Sequence, residues 1–414
     1  MTETFDLHDP LNRRRILTAA LGGVAMLTLG AARTRSAAAF GLRAPLRQIL
    51  TAGFASATMD LVAVPETTTF VVTTTLEAPA EALRIGIGNP TPAPFQLGGA
   101  CCAPEKGRQW TRLTFGGSNQ PITVPGNRVA ATGAKNVPAI LWSDWATIAD
   151  QGAGRPVLQF RLLSGPQTAP MTLVGLARDV HHRNAQAEDR PFSSHSLQGD
   201  WVSDPRPSSI PGQPTNHAPI MVVQYRTAVG GVQILLGGDS QLASWAAFPQ
   251  FAAAELSTPQ RPISVWNVAW GAQPSGTFWQ LFQDAIPQCQ PSIAVLEGWT
   301  ANDGMNSTAY ARYLDRLRAS VALVRRGGGV PIIIAPMPRT LFGTPELAGW
   351  QSYGAGLARA LPGVTLLDPL PYTGDPQHPG NWRPEFTSEN GIHVNPDGNV
   401  ALTPPFRGLL ASLI

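Results

Sequence analysis

Three polar residues that could carry out nucleophilic catalysis lie in the second half of the sequence. Ser240 follows Asp239 in the segment GGDSQLASW, Asn302 lies in EGWTANDG, and His393 lies in NGIHVNPDGN near the end of the chain. A serine hydroxyl is a weak nucleophile at its ordinary pKa and needs a base such as histidine within hydrogen-bond reach. If folding brings these residues together, Ser240 can attack a carbonyl carbon while His393 carries its proton.

Apolar runs that alternate with helical stretches predict the scaffold for these residues. From about residue 230 onward the runs VQILLGG, ISVWNVAWG, SIAVLEGW, VPIIIAPMP and VTLLDPL are separated by longer amphipathic segments. One helix can begin at Asn306 or Ser307 and end near Gly327. Buried strands alternating with helices indicate a three-layer, doubly wound α/β domain with a parallel sheet. Functional residues of such sheets lie beyond the carboxyl ends of the strands.

Four sequence blocks occur in the order in which one hydrolase family carries them. GGDS at Ser240 resembles the first block of the SGNH or GDSL-type hydrolases, and AWGAQPSG offers a glycine, Gly271 or Gly276, for the second. TAND at Asn302 resembles the third block and NGIHVNPDG at His393 the last. The resemblance covers a little under half of the chain. It implies a flavodoxin-like fold and serine esterase activity with no metal or organic cofactor.

The resemblance also implies a role for each residue. Ser240 would be the nucleophile, at a strand-to-helix turn where helical N–H groups favour negative charge. His393 would take the hydroxyl proton and return it to the leaving alcohol. The oxyanion would accept hydrogen bonds from the N–H groups of Ser240 and Gly271 and from the side chain of Asn302. Gly271 is preferred because it directly ends its strand, and Gly276 is the alternative.

Two positions depart from the family pattern. Thr300 stands where the family has glycine, and Asn390 stands where it has the aspartate that orients the histidine. Asn390 can accept the His393 N–H through its amide oxygen but brings no charge. We expect Asn390 or a backbone carbonyl to orient His393, with the carboxylate of Glu389 as the alternative. An impaired or inactive site is the third possibility.

The front half of the sequence has a different pattern. Between about residues 45 and 225, short runs such as FVVTTTL, LRIGIG and VLQFRLL are separated by turns rich in Gly, Pro and Asn. This indicates an antiparallel β-sandwich. The segment ITVPGNRVAATGAKNVPAILWSDWATI resembles the β-rich region that precedes the hydrolase blocks in some exported bacterial proteins of the family. We therefore predict a β-sandwich-like domain at 40–228, which would position substrate or cover the cleft, and an SGNH hydrolase domain at 229–414.

The first 39 residues resemble an export signal. Three arginines at 13–15 precede an apolar stretch, Ile16–Leu29, and a small-residue site at 37–39. Adjacent arginines before an apolar stretch predict recognition by the twin-arginine export machinery, and hence a periplasmic or secreted protein. The alternative is an uncleaved anchor over Ile16–Ala32. After cleavage we expect no stable membrane span.

Composition narrows the possible partners. Of 414 residues, 43% are hydrophobic and 14% charged, and the net charge is +3, which is typical of a globular chain. The body of the chain has no basic run that would bind nucleic acid. Cys101, Cys102 and Cys289 lack metal-ligand spacing, so we expect buried or free thiols, with a strained disulfide between the neighbouring pair as the alternative.

The sequence says less about the substrate. We expect a small acyl ester, such as an acetyl ester, on a carbohydrate or a related hydroxyl-bearing molecule. Trp299, three residues before Asn302, is the best candidate to stack on a sugar ring, although tryptophans more often fill cores. The alternatives are a non-catalytic carbohydrate- or ligand-binding protein on the same scaffold and an acyltransferase that uses the same residues.

Overall fold

A computed structural model defines the fold. It describes residues 43–53, 59–105, 107, 109–127, 137–149, 151–152, 154–167, 171–175, 192–203, 217–243, 247–271, 275–304, 306–340, 344–378, 380–388 and 391–414. The segment predicted to be an export signal, 1–39, lies outside these residues, so that interpretation stays a prediction.

Strands dominate the chain before residue 240, and helices alternate with strands after it. The strands are β1 (Arg47–Gly53), β2 (Met59–Val62), β3 (Thr68–Thr75), β4 (Ala82–Asn89), β5 (Phe95–Pro104), β6 (Thr111–Leu113), β7 (Ile122–Val124), β8 (Ala139–Trp142), β9 (Val157–Ser164), β10 (Met171–Gly175), β11 (Phe192–Gln198), β12 (His217–Ala218), β13 (Ile220–Gly237), β14 (Ile263–Asn267), β15 (Ile293–Glu297), β16 (Val330–Ile334) and β17 (Thr365–Leu367). The helices are α1 (Phe248–Leu256), α2 (Ser275–Cys289), α3 (Ser307–Arg326), α4 (Thr344–Ala360), α5 (Leu370–Thr373) and α6 (Pro396–Ala411), with 3₁₀ turns at Ala301–Asp303 and Pro384–Phe386.

The α/β part has the three layers that the sequence predicts. β14, β13, β15, β16 and β17 pair in parallel in that order. Successive residues of β13 point to opposite faces of this sheet. Ile234 and Leu236 pack in a core with α1 and α6, while Leu235 packs in a second core with α2, α3 and α4. Helices therefore cover both faces, and the fold-class prediction of a doubly wound parallel sheet is confirmed.

Helix α3 begins and ends where the sequence indicates. The Asn306 side chain caps its N-terminus by accepting a hydrogen bond of 3.0 Å from the Ala309 N–H. Gly327 is its C-cap residue, and Arg325 and Arg326 occupy its last turn, where cations interact favourably with the helix dipole. Tyr313 and Leu317 lie on its buried face, so amphipathic spacing places the helix on the sheet.

A second, antiparallel sheet forms the other half of the molecule. Its strands run in the order β11, β3, β9, β5 and β6, with β7 paired to β5. Phe70, Leu97 and Phe160 of this sheet share a core with Ile85 of β4 and Tyr225 of β13. The result is a β-sandwich whose opposite layer is the antiparallel part of the first sheet, made by β1, β4, β8 and the first half of β13.

Strand β13 therefore belongs to both halves of the molecule. Its first half pairs antiparallel with β1 and β4, and its second half pairs parallel with β14 and β15. The sequence predicts two separate strands, IMVVQY and VQILLGG. In the structure both runs belong to this one strand of 18 residues. The predicted boundary between 228 and 229 falls within it.

The cysteines are buried thiols. Cys101, Cys102 and Cys289 are all free, as the first of the two interpretations predicts. Burial raises the pKa of each thiol above its ordinary value, which keeps all three in the unreactive protonated form. Within the described part of the chain, no helix has both the length and the apolar character needed to span a bilayer.

Candidate active site

Ser240 and His393, far apart in sequence, are in contact in the fold. Ser240 Oγ lies 2.7 Å from His393 Nε2, and both side chains are partly buried. This is the distance of a strong hydrogen bond between a hydroxyl and an imidazole nitrogen. The pair has the geometry in which histidine can remove the hydroxyl proton as serine attacks.

Ser240 lies in a turn of its own, directly after β13. The N–H groups of Leu242 and Ala243 donate to the Asp239 carbonyl at 3.1 and 2.9 Å and close the turn. Helix α1 begins only at Phe248. Ser240 therefore lies in the connection between β13 and α1, as the predicted strand-to-helix turn requires, and the turn closed by Asp239 presents its hydroxyl. The contribution of helical N–H groups at Ser240 stays a prediction.

Asp239 holds this turn through bonds on every side. Its Oδ1 accepts a hydrogen bond of 2.8 Å from the Gln241 N–H, and its Oδ2 accepts one of 2.5 Å from the Thr300 hydroxyl. Arg339 Nη2 lies 3.6 Å from the same Oδ2. The Asp239 N–H in turn donates to Glu297 Oε2 at 2.6 Å. Because every one of these residues is buried, the network fixes the backbone that carries Ser240.

Glu297 is a buried carboxyl that the sequence reasoning missed. Burial, and next the charge of Asp239, raises the pKa of Glu297 well above its ordinary value and favours the neutral acid. Its Oε1 is buried and finds no hydrogen-bond partner among the described residues. A charged residue at the end of the apolar run SIAVLEGW was the available signal. Gly238 gives Glu297 room, because a Cβ there would lie 2.6 Å from Glu297 Oε2.

Thr300, which stands where the SGNH or GDSL-type pattern has glycine, makes two hydrogen bonds through its hydroxyl. Besides its bond to Asp239, its hydroxyl accepts 3.2 Å from the Asn302 N–H. Asn302 lies in the 3₁₀ turn that follows β15, with an exposed side chain. Asp303 Oδ1 accepts 2.9 Å from the Ser275 N–H at the start of α2. The TAND segment thus joins the Ser240 turn to the N-terminus of α2.

Gly271 is placed beside the Ser240 turn. The N–H groups of Val268 and Trp270 donate to the Leu236 and Gly238 carbonyls at 2.8 and 3.0 Å. The chain after β14 therefore continues alongside β13, and Gly271, which is buried, comes next. Gly276 is instead the second residue of α2. The oxyanion-hole roles of Ser240, Gly271 and Asn302 stay predictions.

The loop that carries His393 is anchored at several points. The Ile392 carbonyl accepts hydrogen bonds from Gln241 Nε2 at 2.6 Å, Arg339 Nη1 at 3.2 Å and Trp382 Nε1 at 3.3 Å. The His393 carbonyl accepts 2.8 Å from the Ser388 N–H. Three separate segments therefore fix the backbone next to the imidazole.

The two residues that directly precede the described segment 391–414 are predicted to orient His393. Asn390 and Glu389 both lie outside the described residues. Asn390, a backbone carbonyl and Glu389 accordingly all stay predictions for the partner of the second ring nitrogen.

Trp299 does not form a sugar platform. Its side chain is 1% exposed and packs against Tyr310, with ring centroids 5.9 Å apart. The Arg339 guanidinium lies 5.8 Å from its ring centroid. Trp279 and Trp382 are also buried. The stacking prediction for Trp299 is wrong, because helix α3 and Arg339 cover the ring faces that a sugar would need.

Comparison with known proteins gives structural matches. No family model matches the chain, and no curated protein matches it. Among solved structures, the psychrotrophic esterase EstA from a Pseudoalteromonas species is 16% identical, with 44% of this chain and 94% of that chain covered and a TM-score of 0.34. A GDSL-like lipase from Bacteroides thetaiotaomicron is 14% identical, with 44% and 88% covered and a TM-score of 0.36. Protein YxiM from Bacillus subtilis is 12% identical, with 88% and 87% covered and a TM-score of 0.34.

The names of these neighbours agree with the sequence blocks. An esterase and a GDSL-like lipase are of the class that GGDS, TAND and NGIHVNPDG resemble. The chemistry of this chain rests on its own residues, of which Ser240 and His393 are in contact.

Proposed function

We propose that this protein is a serine esterase in which Ser240 is the nucleophile and His393 the general base. The observation that carries the proposal is the contact of 2.7 Å between Ser240 Oγ and His393 Nε2. Both residues lie where a doubly wound sheet places its functional groups, Ser240 three residues beyond the end of β13. The buried hydrogen bonds of Asp239, which fix the backbone of the serine turn, support the proposal because a positioned nucleophile reacts faster.

In the proposed reaction His393 Nε2 takes the Ser240 proton as Oγ attacks the ester carbonyl carbon. The carbonyl oxygen becomes an oxyanion, which accepts hydrogen bonds from the Ser240 and Gly271 N–H groups and the Asn302 side chain. Each such donor typically contributes about 10²–10³ in rate. His393 then gives its proton to the leaving alcohol. Water hydrolyses the acyl-enzyme by the same proton transfers in reverse order.

The substrate of the proposal is a small acyl ester, such as an acetyl ester, of a carbohydrate or related alcohol. One exposed polar pair, His378 with Asp375, in the loop between α5 and the second 3₁₀ turn supports a hydroxyl-rich substrate. In that loop exposed His378 donates to or accepts from Asp375 at 2.8 Å, and the Gly380 carbonyl accepts 2.7 Å from the Arg339 N–H. Arg339 contacts the Ile392 carbonyl, so this loop borders the His393 loop. Rates on acetyl, butyryl and octanoyl p-nitrophenyl esters test the acyl-length preference.

Turnover of p-nitrophenyl acetate and of acetylated oligosaccharides by Ser240→Ala tests the activity. We expect the variant to lose at least about 10⁴ in kcat, as removal of a nucleophile does. Ser307→Ala, an exposed serine on α3, is the matched control and should retain activity. If the wild-type protein cleaves neither substrate faster than Ser240→Ala, the esterase proposal is wrong and the non-catalytic binding protein takes its place.

Acyl transfer would use the same residues and is separated from hydrolysis by its products. Adding glycerol or a free oligosaccharide as acceptor to the acetyl ester reaction yields only acetate from a hydrolase. A transferase yields the acylated acceptor at the expense of acetate.

We also propose export to the periplasm or the medium by the twin-arginine machinery, supported by the arginines at 13–15 and the apolar stretch that follows. Replacing Arg13 and Arg14 by lysine should leave the protein in the cytoplasmic fraction with its first 39 residues attached. Unchanged export of this double variant would contradict the proposal.

A further inference from the structure

We propose that Gln241 is a positioning residue for this reaction, because its side-chain amide binds the backbone on both sides of His393. The inference rests on the proposed esterase function and concerns a residue to which the sequence blocks assign no role. Gln241 Nε2 donates to the Ile392 carbonyl at 2.6 Å, and Gln241 Oε1 accepts from the Val394 N–H at 3.2 Å. The residue is 1% exposed.

The two bonds act on the two peptide groups that flank His393. One amide side chain thereby pairs with the C=O before and the N–H after the histidine, as a neighbouring strand would. Fixing both peptide planes fixes the backbone dihedral angles of His393. These angles limit the side-chain rotamers and so the direction in which the imidazole ring points. These two hydrogen bonds, from Gln241 to Ile392 and from Val394 to Gln241, are called the clamp below. The clamp controls where His393 Nε2 lies.

The position of Gln241 makes this control specific to the catalytic pair. Gln241 follows Ser240 directly, and its own N–H is held at 2.8 Å by Asp239 Oδ1. The turn that carries Ser240 is therefore hydrogen-bonded, through Gln241, to the loop that carries His393. A separation of the two loops would therefore break the bonds of Gln241 as well as the contact of 2.7 Å between Ser240 and His393.

The loop does not depend on Gln241 alone. The Ile392 carbonyl keeps the donors Arg339 and Trp382, which come from other segments, when the amide is removed. Gln241→Met has nearly the same length without either hydrogen bond, so it should fold and lose only the link to the Ser240 turn. We expect a fall in kcat on p-nitrophenyl acetate of up to about 10²-fold, the scale of a small misplacement of a catalytic group. KM should remain close to the wild-type value.

Gln241→Glu supplies a readout that a merely structural role would not change. A protonated carboxyl can donate to the Ile392 carbonyl and accept from Val394 N–H, whereas an ionised carboxylate cannot donate. The charged and titratable groups around this position are Asp239, Glu297, Arg339 and His393. The ratio of variant to wild-type kcat should rise as pH falls, by about tenfold across the range in which the new carboxyl takes up its proton.

Carbethoxylation of His393 by diethylpyrocarbonate, mapped by mass spectrometry, tests the clamp without turnover. We expect faster modification in Gln241→Met than in wild type, and no change in Gln260→Met, an exposed glutamine control. If the wild-type protein has no esterase activity but His393 is modified faster in Gln241→Met than in wild type, the proposed function is wrong and the positioning role of Gln241 stands. Wild-type kcat and wild-type His393 reactivity in Gln241→Met, or a flat pH ratio for Gln241→Glu, would overturn the role of Gln241 and leave the esterase proposal intact.

Discussion

The hydroxyl of Thr300 donates a hydrogen bond of 2.5 Å to Oδ2 of Asp239 and so ties the loop after β15 to the turn that carries Ser240. The same hydroxyl accepts from the Asn302 N–H. A glycine at this position, as in the family pattern, could make neither bond. The departure at Thr300 therefore adds a connection between the nucleophile and the predicted oxyanion donor.

Thr300→Val should weaken this connection while keeping the shape of the side chain. Among the described residues, Asp239 Oδ2 would retain the Arg339 contact at 3.6 Å alone. The loss of a buried hydrogen bond should lower the free energy of unfolding by about 1–3 kcal/mol. Urea denaturation measures this change. Thr300→Ser keeps the hydroxyl and should cost less than Thr300→Val. Equal stability of Thr300→Val and wild type would show that the bond contributes nothing.

Glu297→Gln should change the pH dependence of stability. Because the pKa of Glu297 is raised in the folded state, the folded protein holds a proton that the unfolded chain releases above about pH 4.3. Its stabilising contribution is thus full below that pH and is lost as pH rises towards the folded pKa, with a limiting slope of about 1.4 kcal/mol per pH unit. The variant lacks this loss, so its stability relative to wild type should increase with pH.

Urea unfolding at about pH 5, 7 and 9 checks the Glu297 prediction. Glu105→Gln changes an exposed glutamate of the β-rich part and serves as the control, whose difference from wild type should stay constant. A constant difference for Glu297→Gln as well would mean that the buried carboxyl does not take up its proton on folding.

Asn306→Ala should destabilise the protein through helix α3. The Asn306 side chain satisfies the Ala309 N–H at 3.0 Å, and loss of such a cap typically costs about 1 kcal/mol. The chemical denaturation midpoint should fall with an unchanged slope. Asn306→Asp, which can cap equally well, should remain near wild type, and a loss of similar size in both variants would argue against the cap as the cause.

The fragment 229–414 should not fold as an independent domain. It lacks β1, which pairs with both β13 and β14, and Val222, which packs in the same core as Trp266. We expect a fragment without a cooperative thermal transition, whereas 43–414 should unfold cooperatively. A fragment that unfolds at the same midpoint as 43–414 would show instead that the predicted boundary marks a true domain.

The order of strands and helices after residue 230 could be predicted because each apolar run there is bounded by clear turn and cap signals. Parallel strands end at one edge of a sheet, so Ser240 and Asn302 had to lie on the same side of it. The continuity of β13 could not be predicted in this way. The segment from Arg226 to Gly231 reads as a turn, and it stays extended because β1 pairs with it on both sides of a register shift.

The contacts of Glu297, Arg339 and Gln241, which hold the loops of the site, could not be predicted from the sequence. Glu297 and Arg339 stand out as charged residues at the ends of apolar runs, but their hydrogen-bond partners Asp239 and Ile392 are 58 and 53 residues away in the sequence. Gln241 has no distinguishing mark in GGDSQLASW. The role of Gln241 depends on its hydrogen bonds to the backbone of Ile392 and Val394, which lie beside it only after folding.

The length of β13 has a consequence for how this protein can diverge. A gene fusion that exchanged the front half for another module would have to join the chains inside an 18-residue strand, since no loop separates the two sheets there. The new module would need to supply a strand in register with β4 and β1, and a slip of one residue would turn Met221, Val223 and Tyr225 to the wrong face. We therefore expect recombination at this point to disrupt both sheets, and the two halves to be inherited as one piece.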